Sequence, residues 1–278
     1  MSVEPNVQRT LSRIVPLESE RTAGALGRET IERASRCFRA DGALVIEDVV
    51  DGAIIAAAQK AFDQTYSHYL NSSEHEDALN VGDRRMLITI RLEPPFDTPR
   101  LFANPYVLPI LSAALDEGFV IGAFGVVCAL PSAPAQHVHH DGGDLFQRPD
   151  LDRLLPTAAI TVGIPLLEMN GVNGTTTLWL GSHHDRSGAL DGTSIEPEIR
   201  EGSCVLWDFR LKHSGTANLG TSPRPLLYLT YCRPWFLDHI NFSKTNANER
   251  QKPLLASRGF LLKLSEQQQC LLVRALSD

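Results

Sequence analysis

The sequence predicts an α+β protein built on a double-sheet jelly roll (a double-stranded β-helix) with helices placed before it. Helical periodicity predominates before residue 116. Five apolar segments of strand length then follow one another, separated by turns rich in Gly, Pro, Asn and Asp. A short helical front followed by a run of strands is typical of layered α+β folds with a double sheet.

Two helices with a short strand between them are predicted near the N-terminus. Residues 28–40 carry apolar side chains at helical spacing, and the pattern stops at Asp41, which begins an Asp-Gly turn signal. Residues 43–46 then form an apolar strand. Asp51 is placed to cap the second helix, whose apolar face continues to Tyr66.

The remaining elements follow from alternation and breaker residues. Residues 71–84 are polar and predict a loop, 86–92 alternate like a strand, and 105–115 predict a third helix. One more helix is predicted over residues 261–276. The five strands of the jelly roll are predicted at 119–130, 157–167, 175–180, 203–209 and 225–232.

We expect residues 1–278 to form one domain, with residues 1–27 as a loose N-terminal arm, because no repeat, linker or low-complexity segment interrupts the chain. The content of 43% hydrophobic and 21% charged residues is that of an ordinary globular protein. A chain of this length can bury a sizeable core without disulfides.

Charge and cysteine content exclude several classes of function. The net charge of −7 and the lack of clustered Lys and Arg argue against nucleic-acid and anionic-membrane partners. The five cysteines form no C-x-x-C pair, so we interpret them as reduced, mostly buried thiols. The N-terminal residues lack an apolar signal-peptide core, and no apolar run is long enough to span a membrane, so a cytoplasmic location is expected.

A candidate metal site centres on His139 and Asp141. In extended backbone, residues i and i+2 point to the same face, so these side chains can reach one cation together. Two imidazoles and one carboxylate leave three octahedral positions open, which suits Fe(II) that must bind a bidentate 2-oxo acid and then O2. The second imidazole must come from a later strand, and His213, which follows the strong strand pattern beginning at Val205, is the best candidate.

The alternatives are weaker. A second H-x-D, at His183 and Asp185, leaves too short a segment before His213 for the intervening strands of a jelly roll. His137 and His140 point differently from His139 along a strand, so we interpret them as neighbours of the metal ligands, substrate-facing groups or solvated side chains. Any one histidine alone is more often an ordinary hydrogen-bonded side chain than a ligand.

Arg224 is the candidate for binding the carboxylate of a co-substrate beside the metal site. It lies eleven residues after His213 and just before the strand predicted at 225–232. A guanidinium can form a paired, charge-assisted hydrogen bond with the distal carboxylate of a 2-oxo diacid. The strand pair 205–213 and 224–232 is expected to place His213 and Arg224 around one pocket inside the barrel.

Four segments together carry a family resemblance. Residues 136–141 look like a Q-x-x-H-x-D motif, and residues 173–183 resemble an "NG…PGSH" segment with Leu180 where Pro is usual. Residues 213–224 resemble a distal H…N…R segment, and residues 38–46 are similar to the helix–strand unit that precedes these motifs. The motifs resemble those of the phytanoyl-CoA dioxygenase-like (PhyH-like) family of Fe(II)/2-oxoglutarate-dependent oxygenases.

The resemblance covers about residues 29–236 and implies further roles. Gln136 would approach 2-oxoglutarate and the metal, and Thr176 would hydrogen-bond the co-substrate from the facing strand. Arg224 would anchor the C5 carboxylate. Some relatives use another basic residue from an earlier strand or loop, and the candidates here are Arg84, Arg85 and Arg91.

Two positions narrow the chemistry that the resemblance implies. His183 falls where the family has a structural histidine. Related halogenases replace the carboxylate ligand with a small residue so that chloride can bind, whereas Asp141 is present here. The resemblance therefore implies hydroxylation, desaturation or another O2-dependent oxidation.

The implied activity is that of an Fe(II)/2-oxoglutarate-dependent dioxygenase, an oxidoreductase that oxidises a C–H bond of a small molecule and releases succinate and CO2. The family contains acyl-CoA hydroxylases and tailoring enzymes of natural-product biosynthesis. Because no basic patch is evident for a CoA pyrophosphate, a small specialised metabolite is the favoured substrate. The sequence does not distinguish a monomer from a homodimer.

Two rival functions remain open at this point. One is a cupin-type metal-dependent enzyme that uses no 2-oxoglutarate, for which Arg224 would have no purpose. The other is a non-catalytic metal-binding protein on the same fold, whose usual sign is the loss of a ligand or of the arginine. Here His139, Asp141, His213 and Arg224 are all present.

Overall fold

The computed structural model describes the whole chain except residues 1–9, 72–74, 76, 143–144, 147, 153, 185–189, 191–193, 239–240, 243–252 and 277–278. The helices are α1 Glu18–Ala23, α2 Arg28–Asp41, α3 Gly52–Thr65, α4 Pro99–Phe102, α5 Leu108–Leu115, α6 Pro149–Asp152, α7 Arg258–Leu261 and α8 Glu266–Leu271. Short 3-10 turns cover Ser67–Asn71 and Ser182–His184.

Thirteen strands are described. Those before the metal-ligand segment are β1 Arg13–Ile14, β2 Ala43–Ile46, β3 Ala78–Gly82, β4 Arg85–Thr89, β5 Arg91–Leu92 and β6 Val120–Ala129. Those after it are β7 Ala159–Pro165, β8 Thr176–Trp179, β9 Ser194–Ile195, β10 Cys204–Asp208, β11 His213–Gly215, β12 Arg224–Cys232 and β13 Leu255–Ala256.

The strands form a large sheet that faces a small one. The large sheet has the order β1-β2-β10-β7-β12-β6-β4-β3 and is antiparallel except for the β1–β2 pair. The small sheet has the order β11-β8-β9. Between β6 and β12 the chain passes repeatedly from one sheet to the other. This is the double-sheet jelly roll that the sequence predicts.

Strand β2 shows how the two faces of the large sheet divide the core. Leu44 and Ile46 belong to the cluster packed under the helices, together with Phe38 of α2 and Phe62 of α3. Val45 belongs to a second cluster on the inner face. The alternation follows from the period of two in a strand, and it leaves the inner face to line the cavity.

The predicted helices α2 and α3 and strand β2 are confirmed. Helix α2 ends at Gly42, which has a φ of +75° and a backbone that the ring of His183 covers closely. Asp51 caps α3 by accepting a hydrogen bond of 2.7 Å from the backbone N–H of Ala53. The third predicted helix begins later than expected, at Leu108.

Three predictions need correction. The loop predicted over residues 71–84 contains β3, a half-exposed edge strand without a clear apolar alternation. The arm predicted over residues 1–27 contains β1 and α1, because Ile14 is buried where β1 pairs with β2. The helix predicted over 261–276 is replaced by α7 and α8, and Ser265 starts α8 with a capping box.

The strand predicted to run from 205 to 213 is interrupted. The Asp208 carboxylate accepts hydrogen bonds from the backbone N–H and the guanidinium of Arg210, so the chain turns after β10. His213 therefore lies in β11 of the small sheet, across the cavity from the large sheet. Both sheets contribute to the site as a result.

No helix in the described ranges is long and apolar enough to cross a bilayer. The five cysteines are free thiols, and Cys128, Cys204 and Cys232 are buried.

Candidate metal centre

His139, Asp141 and His213 are brought together as predicted. One potential ligand atom from each residue lies within 4.8 Å of the others. Two backbone hydrogen bonds fix this approach: His139 N donates to His213 O over 2.9 Å, and His213 N donates to His139 O over 2.8 Å. Reciprocal bonding of this kind marks directly opposed antiparallel residues, whose side chains share one face.

Both imidazoles present the same nitrogen to the centre. Nδ1 of His139 donates to the backbone carbonyl of His137 over 2.9 Å, and Nδ1 of His213 donates to that of Leu211 over 2.9 Å. Because each Nδ1 carries the hydrogen, each Nε2 keeps its lone pair for a cation. This outer hydrogen bond is typical of metal-binding histidines.

The carboxylate and one imidazole are electrostatically coupled. Oδ1 of Asp141 lies 3.4 Å from Nε2 of His213. Burial opposes charge on the Asp141 carboxyl, but the His213 and His139 rings and the Trp207 indole N–H together lower the pKa of Asp141. Burial likewise opposes charge on His213, but the Asp141 carboxylate and the Leu211 carbonyl together raise the pKa of that imidazole.

The other oxygen of Asp141 has partners that sequence reasoning missed. Oδ2 accepts hydrogen bonds of 2.9 Å from Nε1 of Trp207 and of 2.9 Å from Oγ1 of Thr161. A signal was available, because Trp207 follows Val205 at a spacing of two and therefore shares its inner face. The register with Thr161 was not available from sequence.

All six predicted site residues line one cavity of about 350 Å³. The metal ligands lie beside Gln136, Thr176 and Arg224. Apolar side chains form much of the remaining wall, among them Leu87, Val127, Leu226 and Tyr228.

Arg224 is buried, with 1% of its surface exposed. Its Nε has no hydrogen-bond partner, and no carboxylate among the described residues forms an ion pair with it. Burial and then the nearby charge of Arg85 lower the pKa of Arg224 to about 9. A buried cation without a partner is costly, and such a group is a strong indication of an anionic ligand.

Of the three earlier arginines, Arg85 is the one that reaches the cavity. It is also 1% exposed, and its Nη2 donates to backbone carbonyls of Thr216 over 2.8 Å and Pro134 over 3.2 Å. Burial lowers its pKa to about 10. Arg84 instead donates to the Pro131 carbonyl, and Arg91 pairs with Glu93 near the surface.

Gln136 and Thr176 lie on opposite sides of Gly215. The side-chain oxygen of Gln136 accepts from Gly215 N over 2.9 Å, and its amide nitrogen donates to Val81 O, which joins this segment to β3. Thr176 pairs with Gly215 in the small sheet. These positions put both side chains at the cavity wall.

The remaining candidate histidines fall into two groups, one at the cavity mouth and one away from the cavity. His137 and His140 line the cavity mouth but are not in the ligand cluster. His183 lies away from it and hydrogen-bonds the Arg39 carbonyl over 3.1 Å, which fits a structural role. Asp185 lies outside the described residues. Trp207, Tyr228 and Phe242 are the aromatic residues of the cavity wall, whereas Phe146 and Trp235 are exposed.

The phytanoyl-CoA dioxygenase (PhyH) family model matches residues 38–226. The chain belongs to the phytanoyl-CoA dioxygenase family. In this member the family match includes the segment that carries His139 and Asp141, the small sheet with His213, and Arg224 at the start of β12.

Solved structures with the same fold include the non-haem α-ketoglutarate-dependent epimerase SnoN from nogalamycin biosynthesis. It is 18% identical with a TM-score of 0.55, over 82% of this chain and 94% of that one. EctD from S. alaskensis with bound Fe is 20% identical with a TM-score of 0.53, over 72% and 76%. The carbocyclase SnoK from nogalamycin biosynthesis is 17% identical with a TM-score of 0.55, over 78% and 87%.

Proposed function

We propose that this chain is an Fe(II)- and 2-oxoglutarate-dependent dioxygenase that oxidises a C–H bond of a small molecule. The observation that carries the proposal is the pairing of two features in one cavity. A cluster of two imidazoles and one carboxylate lies beside Arg224, a buried guanidinium without a carboxylate partner among the described residues. The cluster would bind a metal ion, and Arg224 would bind the carboxylate of an acid held beside it.

The donor set fits ferrous iron. Nε2 of His139, Nε2 of His213 and one oxygen of Asp141 supply two neutral nitrogens and one anionic oxygen, the set typical of non-haem Fe(II) oxygenases with open positions. When bound, iron with 2-oxoglutarate would supply the oxidation: O2 and the diacid are converted to succinate and CO2 while a substrate C–H bond is hydroxylated or desaturated.

Arg224 is assigned to the C5 carboxylate of 2-oxoglutarate. A planar guanidinium matches a carboxylate with two parallel hydrogen bonds, and burial removes the competing water. Arg85 adds a second positive charge close by. The carboxylate would offset the desolvation cost of both cations, which have no carboxylate partner among the described residues.

Thr176 and Gln136 are assigned to orientation of the co-substrate. Thr176 lines the cavity, where its hydroxyl would donate to the bound diacid. Gln136 already uses both ends of its amide within the protein, so its part is to hold β3 and β11 together around the ligand. This role is narrower than the direct contact that the family resemblance implies.

The apolar wall accounts for the exclusion of water. Leu226 and Tyr228 follow Arg224 at spacings of two along β12, so all three face the cavity. Such a lining strengthens the interaction of the arginine with a carboxylate, and it keeps water from competing for the site.

The substrate proposed is a small specialised metabolite. The structures of SnoN and SnoK are those of enzymes of nogalamycin biosynthesis, which supports a tailoring role on this fold. The acidic chain offers no clustered Lys and Arg for a CoA pyrophosphate. His137 and His140, at the cavity mouth, are placed to contact this substrate.

The decisive experiment adds Fe(II) and 2-oxoglutarate to the metal-stripped full chain without O2 and follows the metal-to-ligand charge-transfer absorption. Admission of O2 with a panel of natural-product scaffolds then tests for succinate. We expect the absorption band in the parent protein and its loss in His139→Ala and Asp141→Ala.

The outcomes separate the rival functions. Metal binding without the band would favour a cupin-type enzyme that does not use 2-oxoglutarate. A band without succinate for any scaffold or O2 condition would favour a binding protein. An unchanged band in both ligand variants would contradict the metal assignment itself.

A further inference from the structure

The two oxygens of the Asp141 carboxylate have different surroundings. Oδ1 faces Nε2 of His213 at 3.4 Å and borders the space between the three candidate ligands. Oδ2 points the other way and accepts two hydrogen bonds of 2.9 Å, from Trp207 and Thr161. The carboxylate is therefore held in one orientation before any cation is considered.

The two donors belong to the large sheet and act as a unit. Thr161 on β7 and Trp207 on β10 are directly opposed in the antiparallel register, so their side chains emerge on the same inner face. Asp141 lies in the connection that follows β6 and approaches this face from the opposite side. The hydrogen bonds thus link the ligand segment to two interior strands of the large sheet.

Burial makes these bonds effective. Trp207 is 3% exposed and Thr161 is fully buried. The indole also packs against the ring of His213, with centroids 5.4 Å apart, and against Tyr228 at 6.5 Å. The position of the indole N–H is consequently set by packing on both sides rather than by the hydrogen bond alone.

An oxygen that accepts two hydrogen bonds from neutral donors has its in-plane lone-pair directions occupied. Binding of Oδ2 to a metal would require both donors to be left without a partner in a buried site, at a substantial cost. A carboxylate restrained in this way offers a cation only Oδ1. Two-oxygen coordination would also occupy one of the positions that a bidentate 2-oxo acid and O2 require.

We propose that Trp207 and Thr161 are positioning residues that restrict Asp141 to binding the metal through Oδ1 alone. The inference rests on the metal assignment within the proposed function, and it does not depend on 2-oxoglutarate. It goes beyond the ligand set because it assigns a task to two residues that do not touch the cation.

The test measures metal binding directly. Co(II) alone is titrated into the metal-stripped full chain and followed by its visible absorption, which reports the ligand geometry. Thr161→Val removes the hydroxyl at nearly constant volume, and Trp207→Phe removes the indole N–H while keeping an aromatic ring. We expect each variant to bind Co(II) about tenfold to a hundredfold more weakly, with an altered spectrum.

Thr161→Ser provides the matched control, because it keeps the hydroxyl that Thr161→Val removes. Its Co(II) spectrum and affinity should be closer to those of the parent than those of Thr161→Val. Trp179→Phe removes an indole from β8 outside the cavity lining and should change neither quantity. Thermal unfolding without metal identifies any variant that is damaged in folding. If one of the two single variants does not fold, the other still gives the answer.

The result that would overturn the inference is a Co(II) affinity and spectrum of Thr161→Val and Trp207→Phe equal to those of the parent. An unaltered spectrum with weaker binding would equally reject the one-oxygen restraint, because only general stability would then have changed. Failure of the parent to bind Co(II) at His139 would instead reject the metal assignment. The two failures are thus distinguishable.

Discussion

Arg85 and Arg224 occupy matching register positions on either side of Ala129. Arg85 on β4 and Arg224 on β12 are both paired with Ala129 on β6, so their side chains share one face of the large sheet. Each is 1% exposed, and the charge of Arg85 contributes to the lowered pKa of Arg224. Two like charges buried so close together are unfavourable until an anion binds.

Arg224→Ala should weaken 2-oxoglutarate binding strongly while leaving metal binding intact. Removal of one partner of a buried, hydrogen-bonded charge pair costs about 2–5 kcal/mol, which corresponds to roughly 30-fold or more in affinity. Arg224→Lys keeps the charge but loses the planar fork, so its affinity should lie between those of the alanine variant and the parent. Calorimetric titration of the Co(II)-loaded protein with 2-oxoglutarate measures this.

Unchanged affinity in Arg224→Ala would remove the main support for 2-oxoglutarate as co-substrate.

The same arginine should destabilise the protein when no ligand is present. Arg224→Met replaces a buried cation that has no carboxylate partner in the described ranges with an apolar chain of similar length, and we expect it to raise the free energy of unfolding by about 1–4 kcal/mol. Arg210 is the matched contrast, because it pairs with the buried carboxylate of Asp208 at 2.8 Å. Arg210→Met should lower the free energy of unfolding, by about 3–5 kcal/mol.

Urea denaturation of the ligand-free proteins measures the change in the free energy of unfolding for each variant, and therefore its sign. The interpretation of Arg224 fails if both substitutions destabilise the protein equally.

Gly215→Ala should weaken 2-oxoglutarate binding through Arg85. A Cβ at this position would meet Nη1 of Arg85 and lie 2.6 Å from Oε1 of Gln136, so the arginine must move. Displacement of a positioned group by about 1 Å can cost roughly a hundredfold, and we expect a tenfold to hundredfold loss in affinity. Gly259→Ala is the control, because a Cβ added there would meet no atom within 4 Å beyond its chain neighbours and its own helix backbone.

The measurement is the same titration of Co(II)-loaded protein, preceded by a Co(II) titration. A normal 2-oxoglutarate affinity in Gly215→Ala would show that the exact position of Arg85 does not matter for this ligand.

His183 should make stability depend on pH. Burial lowers its pKa from 6.5 to about 4, so the unfolded chain binds a proton more readily than the native one. The native state therefore has its full stability above pH 6.5 and loses roughly 3 kcal/mol from this group as the pH falls to about 4.

His183→Gln keeps a donor for the Arg39 carbonyl but does not titrate. It should lose less stability than the parent between pH 6.5 and 4, as thermal unfolding at a series of pH values would show. Parallel curves for the two proteins would contradict a neutral buried His183.

Part of the site could be predicted from the sequence because it depends on residues close together along the chain. The spacing of His139 and Asp141 places both on one face of an extended segment, whatever the fold around them. His213 and Arg224 each adjoin an apolar strand pattern, which placed them at strand ends. The short apolar strand over residues 43–46 was likewise evident from its own side chains, although which of them face the helices was not.

Other residues depended on contacts that a linear pattern does not contain. The turn at Asp208 and Arg210 moved His213 from the large sheet to the small one, because a carboxylate captured a guanidinium two residues later. Arg84, Arg85 and Arg91 were equivalent candidates in the sequence. The pairing of Arg85 with Ala129 separated it from the other two.

The amino-acid order was enough to establish the class of fold, the three candidate metal ligands and the arginine beside them, since these follow from strand periodicity and from the chemistry of each side chain. The partners of Asp141 Oδ2, the second buried arginine and the role of Gln136 required the folded chain. They depend on strand register across distant segments, and register is set by the packing of both sheets together.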